Sequence, residues 1–190
     1  MKKEIIDLLN ESSLTIASLK SDCAEEITAI VKALVKVYRR KGKVLIFGNG
    51  GSAADSQHIA AELVGRFKKE RRALPAVALT TNTSNLTALA NDYSYDYVFE
   101  RQLDALGTKN DVAIGISTSG QAKNVISALK KARQKGMFCI ALTGSRGLNL
   151  KKITDICLIV PSKNTPRIQE AHITAAHIIC ELVENALSDE

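Results

Sequence analysis

The chain has 190 residues, 45% of them hydrophobic and 24% charged, the proportions of an ordinary soluble globular protein with a substantial core. Its net charge of +6 comes from short clusters (Lys68, Lys69, Arg71 and Arg72; Lys130, Lys131, Arg133 and Lys135; Lys151 and Lys152) that read as solvated helix ends and loops. With no Trp, four Phe and four Tyr there is little for base stacking, so we expect no nucleic-acid partner and only weak steering of an anionic substrate.

The opening MKKEIIDLLN is interrupted by Glu4 and Asp7 before any long apolar run, so neither a secretory signal nor a membrane span is expected. Apolar positions then recur at helical spacing: Ile5, Leu8, Leu9, Ile16 and Leu19, followed by Ile27, Ile30, Val31, Leu34 and Val35. Two amphipathic helices are predicted, burying their apolar faces on the core and on neighbouring subunits. Strands are predicted at Val44–Phe47, Ala76–Leu79, Val112–Ile116, Phe138–Leu142 and Ile156–Val160. Helices are predicted at Ala53–Phe67, in two shorter pieces between Thr83 and Leu106, at Ala122–Lys135 and at Arg167–Leu187. Apolar strands alternating with amphipathic helices imply an α/β protein with a parallel sheet covered on both faces. No repeat, low-complexity segment or linker divides the chain, which reads as one domain over 1–190, with 1–41 for packing and oligomerisation and 42–190 as the α/β core. Cys23, Cys139, Cys157 and Cys180 are scattered without a C-x-x-C pair, which favours reduced, mostly buried thiols in a cytoplasm.

In such sheets ligands bind beyond the carboxyl ends of the strands. Three loops fall there: Gly48-Asn49-Gly50-Gly51-Ser52, Thr80-Thr81-Asn82-Thr83-Ser84 and Ser117-Thr118-Ser119-Gly120. All are rich in glycine or hydroxyls, and their convergence would cradle the phosphate of a phosphorylated polyol. The first turn offers backbone N–H groups at the positive end of a helix, with the Ser52 hydroxyl as a further donor. It also fits G-x-G-x-x-A through Gly48, Gly50 and Ala53. The second strand ends in Leu79-Thr80-Thr81, however, without the acidic residue that a dinucleotide ribose requires. No Gly-Lys-Ser/Thr follows, which excludes a P-loop.

His58 and Glu62, at i and i+4, share a helix face just behind that turn. As a pair they fit a metal site, an acid/base pair or a surface hydrogen bond. Near the C-terminus one helix carries Gln169, His172 and His177. Helical geometry puts Gln169 and His177 about 80° apart in azimuth and roughly 12 Å apart along the axis, a long reach for ligands of one ion. His172 points well away from His177. Spacing alone does not choose between the histidines.

Four segments in order, GNGGSAADSQHIAAELVGRF, LTTNTSNLTALANDYSYD, GISTSGQAKNVI and TPRIQEAHITAAHIICELVE, resemble the phosphoheptose isomerases of the sugar-isomerase (SIS) domain family. The resemblance runs almost the full length. It implies a flavodoxin-like five-stranded parallel sheet flanked by helices, with two extra N-terminal helices, assembled as a cytoplasmic homotetramer with interfacial active sites. It implies one zinc ion per subunit held by His58, Glu62, Gln169 and His177, a mixed N/O set that suits zinc, and it leaves His172 structural. It implies substrate and phosphate contacts from Asn49, Gly50, Gly51, Ser52, Ser117, Thr118 and Ser119, and sugar contacts from Asn91 and Asp92, with Glu62 and Gln169 also facing the substrate. One position departs: where many members carry a second phosphate-binding serine, this chain has Ala122.

The implied reaction converts D-sedoheptulose 7-phosphate to D-glycero-D-manno-heptose 7-phosphate through an enediol, on the way to nucleotide-activated heptoses. Such a step requires two titratable groups flanking the reacting carbons, for which Glu62 and His177 are the candidates. The replication-initiator-associating protein of bacteria shares the fold without keeping that glutamate and histidine, so a non-catalytic binding module is the alternative that Glu62 and His177 argue against. An SIS isomerase of another sugar phosphate is a third reading. The axial separation of Gln169 and His177, with leading helices that want a partner, raises the expectation that ligands converge across an interface.

Overall fold

A computed structural model describes residues 1–188. Two long helices come first, α1 (Lys2–Asp22) and α2 (Ala24–Arg39), and five strands follow: β1 (Val44–Gly48), β2 (Ala76–Ala78), β3 (Val112–Ser117), β4 (Phe138–Gly144) and β5 (Ile156–Val160). Between and after them lie α3 (Gly51–Val64), α4 (Thr83–Asp92), α5 (Val98–Leu106), α6 (Lys123–Gln134) and α7 (Thr165–Leu187), with short 3₁₀ turns at Tyr95–Tyr97 and Leu148–Lys152. All strand pairs are parallel, in the order β2-β1-β3-β4-β5. Among the described residues no helix is long and apolar enough to cross a membrane.

β1 shows why the sheet is closed on both faces. Val44, Leu45, Ile46 and Phe47 are all fully buried, and successive side chains of a strand point to opposite faces. Val44 and Ile46 join a cluster with Ile30, Leu34, Leu63, Ile179 and Val183 from α2, α3 and α7. Leu45 and Phe47 join Val98, Phe99, Leu103, Val125 and Leu129 from α5 and α6. Each such side chain stabilises the fold by about 1.5–3 kcal/mol relative to exposure.

The predicted elements are present with ends shifted by a few residues. α3 begins at Gly51 rather than Ala53 and stops at Val64 rather than Phe67, because Gly50 (φ +58°) makes the turn and Gly65 ends the helix. β2 stops at Ala78, one residue before the predicted Leu79. The two leading helices differ from each other. α2 buries Ile27, Ile30, Leu34, Val35, Val37 and Tyr38, whereas α1 buries only Leu19 and leaves Ile5, Ile6, Leu8, Leu9 and Leu14 exposed. The four cysteines are unpaired and buried, and burial pushes their thiols up to about 11 or 12.

Candidate active site

Strand order reverses between β1 and β3, where Gly48 pairs with Ile116 at the carboxyl ends, and this is where a doubly wound sheet opens a crevice. A cavity of about 290 Å³ lies there. It is lined by Asn49, Gly50, Gly51 and Ser52 after β1, by Ser117, Thr118 and Ser119 after β3, and by Ala122, Thr165 and Gln169. The first residues of α3 and α7 and the N-cap of α6 thus all face it. Each helix N-terminus contributes about half a positive charge and unsatisfied N–H groups. No charged side chain lines the cavity, so what it offers a ligand is backbone dipoles and hydroxyls. Gly51 lets the Gln169 carboxamide lie against the turn, in space that a Cβ would claim.

The expected third loop does not take part. The Thr80 hydroxyl faces the Ala53 carbonyl at 3.4 Å, Thr81 Oγ1 donates to Ala78 O, and Asn82 Oδ1 caps α4 by accepting from Asn85 N. None of the residues from Thr80 to Ser84 lines the cavity, which is bounded by the other two loops and the starts of α6 and α7. Asn91 and Asp92 end α4, exposed, with Asn91 Nδ2 donating to Asp92 Oδ1 at 2.9 Å. Ala122 stands at the N-cap of α6 with no side-chain cap.

Further along α3, His58 Nε2 lies 3.1 Å from Glu62 Oε1 and 3.4 Å from His177 Nε2. One ligand atom from each of the three residues falls within 4.8 Å of the others. The ring of Phe67 packs 5.7 Å from that of His177. His58 Nε2, Glu62 Oε1 and His177 Nε2 can each present a lone pair to the space between them, and a cation there would be shared by all three. The N/O donor set fits zinc. His58, Glu62 and His177 come together within one chain. Gln169 sits against Gly51 at the cradle instead.

This arrangement follows from how α3 and α7 lie. Gly51 is beside Gln169, His58 beside His177, and the residues after α3 beside Glu181 and Glu184. The two helices therefore run side by side in the same direction. His172 faces the other way: it is buried, donates from Nε2 to the Thr143 carbonyl at 3.2 Å, and is pushed down to about 4 by burial, against the effect of that carbonyl.

Two features went unread in the sequence. Asp55 lies one turn before His58, with an Oδ2 that is buried and has no protein partner, and burial, opposed by His58, raises it to about 6. The spacing Asp55, His58, Glu62 at i, i+3 and i+7 was the available signal. The second is a clamp at the end of α3. Arg71 donates to the carbonyls of Glu62, Leu63, Gly65 and Arg72, and its Nε lies 3.2 Å from Glu184 Oε2 as an ion-pair contact. Glu184 in turn accepts from the backbone N–H groups of Phe67, Lys68 and Lys69, each at 2.7 Å. No local pattern announces partners more than a hundred residues apart.

Residues 8–144 match the family model of the SIS domain, which sets the class of protein. The chain is 52% identical to the phosphoheptose isomerase of Aliarcobacter butzleri, over 99% of this chain and all of that one, and 56% identical to that of Roseiflexus sp., over 88% and 85%. A solved phosphoheptose isomerase from Neisseria gonorrhoeae superposes with a TM-score of 0.91 at 40% identity, covering 97% of this chain and 98% of the other. The chain belongs to the phosphoheptose isomerases of the SIS-domain family.

Proposed function

We propose that the chain isomerises D-sedoheptulose 7-phosphate to D-glycero-D-manno-heptose 7-phosphate, the first step toward the nucleotide-activated heptoses of bacterial surface polysaccharides. One observation carries this reading beyond the family's name. The cradle and the His58–Glu62–His177 group are separated by seven residues on α3 (Gly51 to His58) and eight on α7 (Gln169 to His177), about 10 and 12 Å along the two axes. A seven-carbon chain built of bonds of about 1.5 Å reaches roughly 9 Å from C1 to its terminal oxygen when extended. A phosphate at the helix N-termini therefore brings C1 and C2 to the titratable group.

In the cradle, Gly50, Gly51, Ser52, Ser117, Thr118 and Ser119 hold the phosphate, and Asn91 and Asp92 meet the sugar hydroxyls. Glu62 takes the proton from C1 and returns it to C2 by way of the enediol, while His177 moves the proton between the two oxygens. Glu62 Oε1 faces His58, and no hydrogen bond occupies Oε2 among the described residues. One oxygen is thus available to a cation and the other to carbon, which allows both roles in one residue. His58, Glu62 and His177 would hold a zinc ion, while Gln169, the fourth ligand that the resemblance implies, lies at the cradle against Gly51. When bound, the ion polarises the carbonyl and offsets the developing negative charge.

We assign residues 1–190 to one SIS domain, with 42–190 as its catalytic core and 1–41 serving assembly into a homotetramer. The exposed Ile5, Leu8, Leu9 and Leu14 of α1 support that role, and four buried thiols suit a reducing cytoplasm. Incubating the enzyme with sedoheptulose 7-phosphate and following the mixture by NMR tests the reaction. An aldoheptose phosphate is expected, and its absence from a folded, zinc-supplemented sample refutes the proposal. Metal analysis of the same sample, expected to give one zinc per chain, tests the ligand set.

A further inference from the structure

Family likeness offers Asn49 as a substrate contact, but its side chain is already engaged. Asn49 Nδ2 donates to Asn124 Oδ1 and Asn124 Nδ2 donates back to Asn49 Oδ1, both at 2.9 Å. Asn124 is 3% exposed, and its Oδ1 also accepts from Val125 N at 2.9 Å, one of the orphan donors in the first turn of α6. That third bond fixes which way the Asn124 amide faces, and through it the orientation of Asn49. Asn49 Oδ1 accepts a further hydrogen bond from the Tyr95 hydroxyl at 3.1 Å. Both lone pairs of Asn49 Oδ1 are then used, and one N–H remains for a ligand.

Tyr95 is half exposed and lies in the 3₁₀ turn that follows Asn91 and Asp92. Its hydroxyl is a tie between this turn and the anion-binding turn after β1. Two residues on, Tyr97 is similarly exposed and its hydroxyl makes no hydrogen bond among the described residues.

We infer that Tyr95 and Asn124 are positioning residues, which grip Asn49 from two sides and so register the segment 91–97 against the phosphate cradle. This rests on the reading above that Asn91 and Asp92 meet the sugar. Asn124 holds the anion turn in shape from below. Tyr95 transmits that position to the sugar side, so phosphate and polyol ends are recognised at a set separation. Loss of the Tyr95 hydroxyl leaves the cradle intact and loosens only the second wall.

The test compares wild type, Tyr95→Phe, Tyr97→Phe and Asn124→Ala in the zinc-supplemented full chain, the two tyrosines being changed at exposed positions. Three quantities are read: kcat and KM for sedoheptulose 7-phosphate, the inhibition constant of inorganic phosphate, and amide hydrogen exchange across 89–97 and 48–52. For Tyr95→Phe we expect KM to rise about five-fold, the factor one neutral hydrogen bond supplies. Its kcat and its phosphate inhibition constant should stay within two-fold of wild type. Exchange should quicken in 89–97 and not in 48–52, while Tyr97→Phe matches wild type in every reading. Asn124→Ala should instead weaken phosphate binding and quicken exchange in 48–52. An unchanged KM with unchanged exchange in Tyr95→Phe overturns the inference. So does a parallel loss of phosphate binding, or a fall in kcat alone, since either would place Tyr95 in the cradle or at the reacting atoms. If wild type itself fails to turn over the heptulose phosphate, the proposed reaction falls, and the exchange pattern still decides the role of Tyr95.

Discussion

Replacing Glu184 with alanine removes the centre of the clamp between α7 and the end of α3. The carboxylate is 1% exposed, holds three backbone N–H groups at 2.7 Å and faces the equally buried Arg71 guanidinium. Burial works against its ionisation, but the Phe67, Lys68 and Lys69 amides and Arg71 outweigh that and hold its pKa below the ordinary carboxylate value. Breaking one side of a buried pair costs about 3–5 kcal/mol, because the other charge stays behind unpaired. In a chain of this size each kcal/mol moves the melting midpoint by about 2–4 °C, so a loss of about 10 °C is expected. Glu184→Gln keeps one acceptor but sets an NH₂ among the donors, and should fall between wild type and alanine. Because the native pKa is depressed, the contribution of Glu184 is complete above the unfolded carboxylate pKa and is lost as pH falls through the native one. The gap between wild type and Glu184→Ala should therefore narrow in acid. Urea and thermal melts at neutral and acidic pH measure this. A midpoint within 2 °C of wild type at neutral pH would refute the reasoning.

Glu62→Gln should lower turnover at least ~100-fold, as expected when a general base is removed, with a nearly unchanged melting midpoint; activity within a few-fold of wild type would remove Glu62 from the chemistry. His177→Asn should abolish turnover while His172→Asn keeps it. Because His172 is held at about 4 against an ordinary 6.5, its neutral form stabilises the fold above pH 6.5. That contribution, up to about 3 kcal/mol, is lost as pH falls toward 4, so His172→Asn should flatten the acid side of the stability profile in urea melts. Ala122→Ser supplies α6 with the side-chain cap it lacks, worth about 0.5–1 kcal/mol, and should also lower KM for the sugar phosphate; no gain in stability would refute the capping argument. Mixed oligomers of Glu62→Gln with His177→Asn should stay inactive, because His58, Glu62 and His177 meet within one chain; recovered activity in demonstrable hybrids would show that they meet across an interface.

Apolar runs made the strands legible, since residues such as Val44–Phe47 are buried on both faces and nothing polar intrudes. The turn between β1 and α3 was legible too, because its glycines permit the positive φ that Gly50 adopts. The choice between His172 and His177 was not. It depends on the Thr143 carbonyl, which takes one, and on His58, which meets the other from 119 residues away. The end of α3 was misread for the same reason. Phe67 continues a helical pattern, but Gly65, Arg71 and Glu184 terminate the helix through distant partners. The hydroxyls of the loop after β2 resemble those of its neighbours in sequence, but Thr80 and Thr81 turn theirs to the carbonyls of Ala53 and Ala78, and the loop lies outside the cavity lining.

The parallel course of α3 and α7 gives the site a direction. Their amino ends lie together at the cradle, and their dipoles fall off along the cleft toward His58, Glu62 and His177. On the proposed assignment, a phosphorylated sugar would enter with its anionic end foremost, since backward entry works against that field. Recognition of the charge is then separate from recognition of the length, which is set by how many helical residues lie between the two ends. Moving the acid–base residues by one turn would shift the reactive point by about 5 Å, several carbon atoms along the substrate, without touching the end that binds phosphate. On that assignment, the length of sugar accepted would be set by where the chemistry sits along the two helices, with the anchor unchanged.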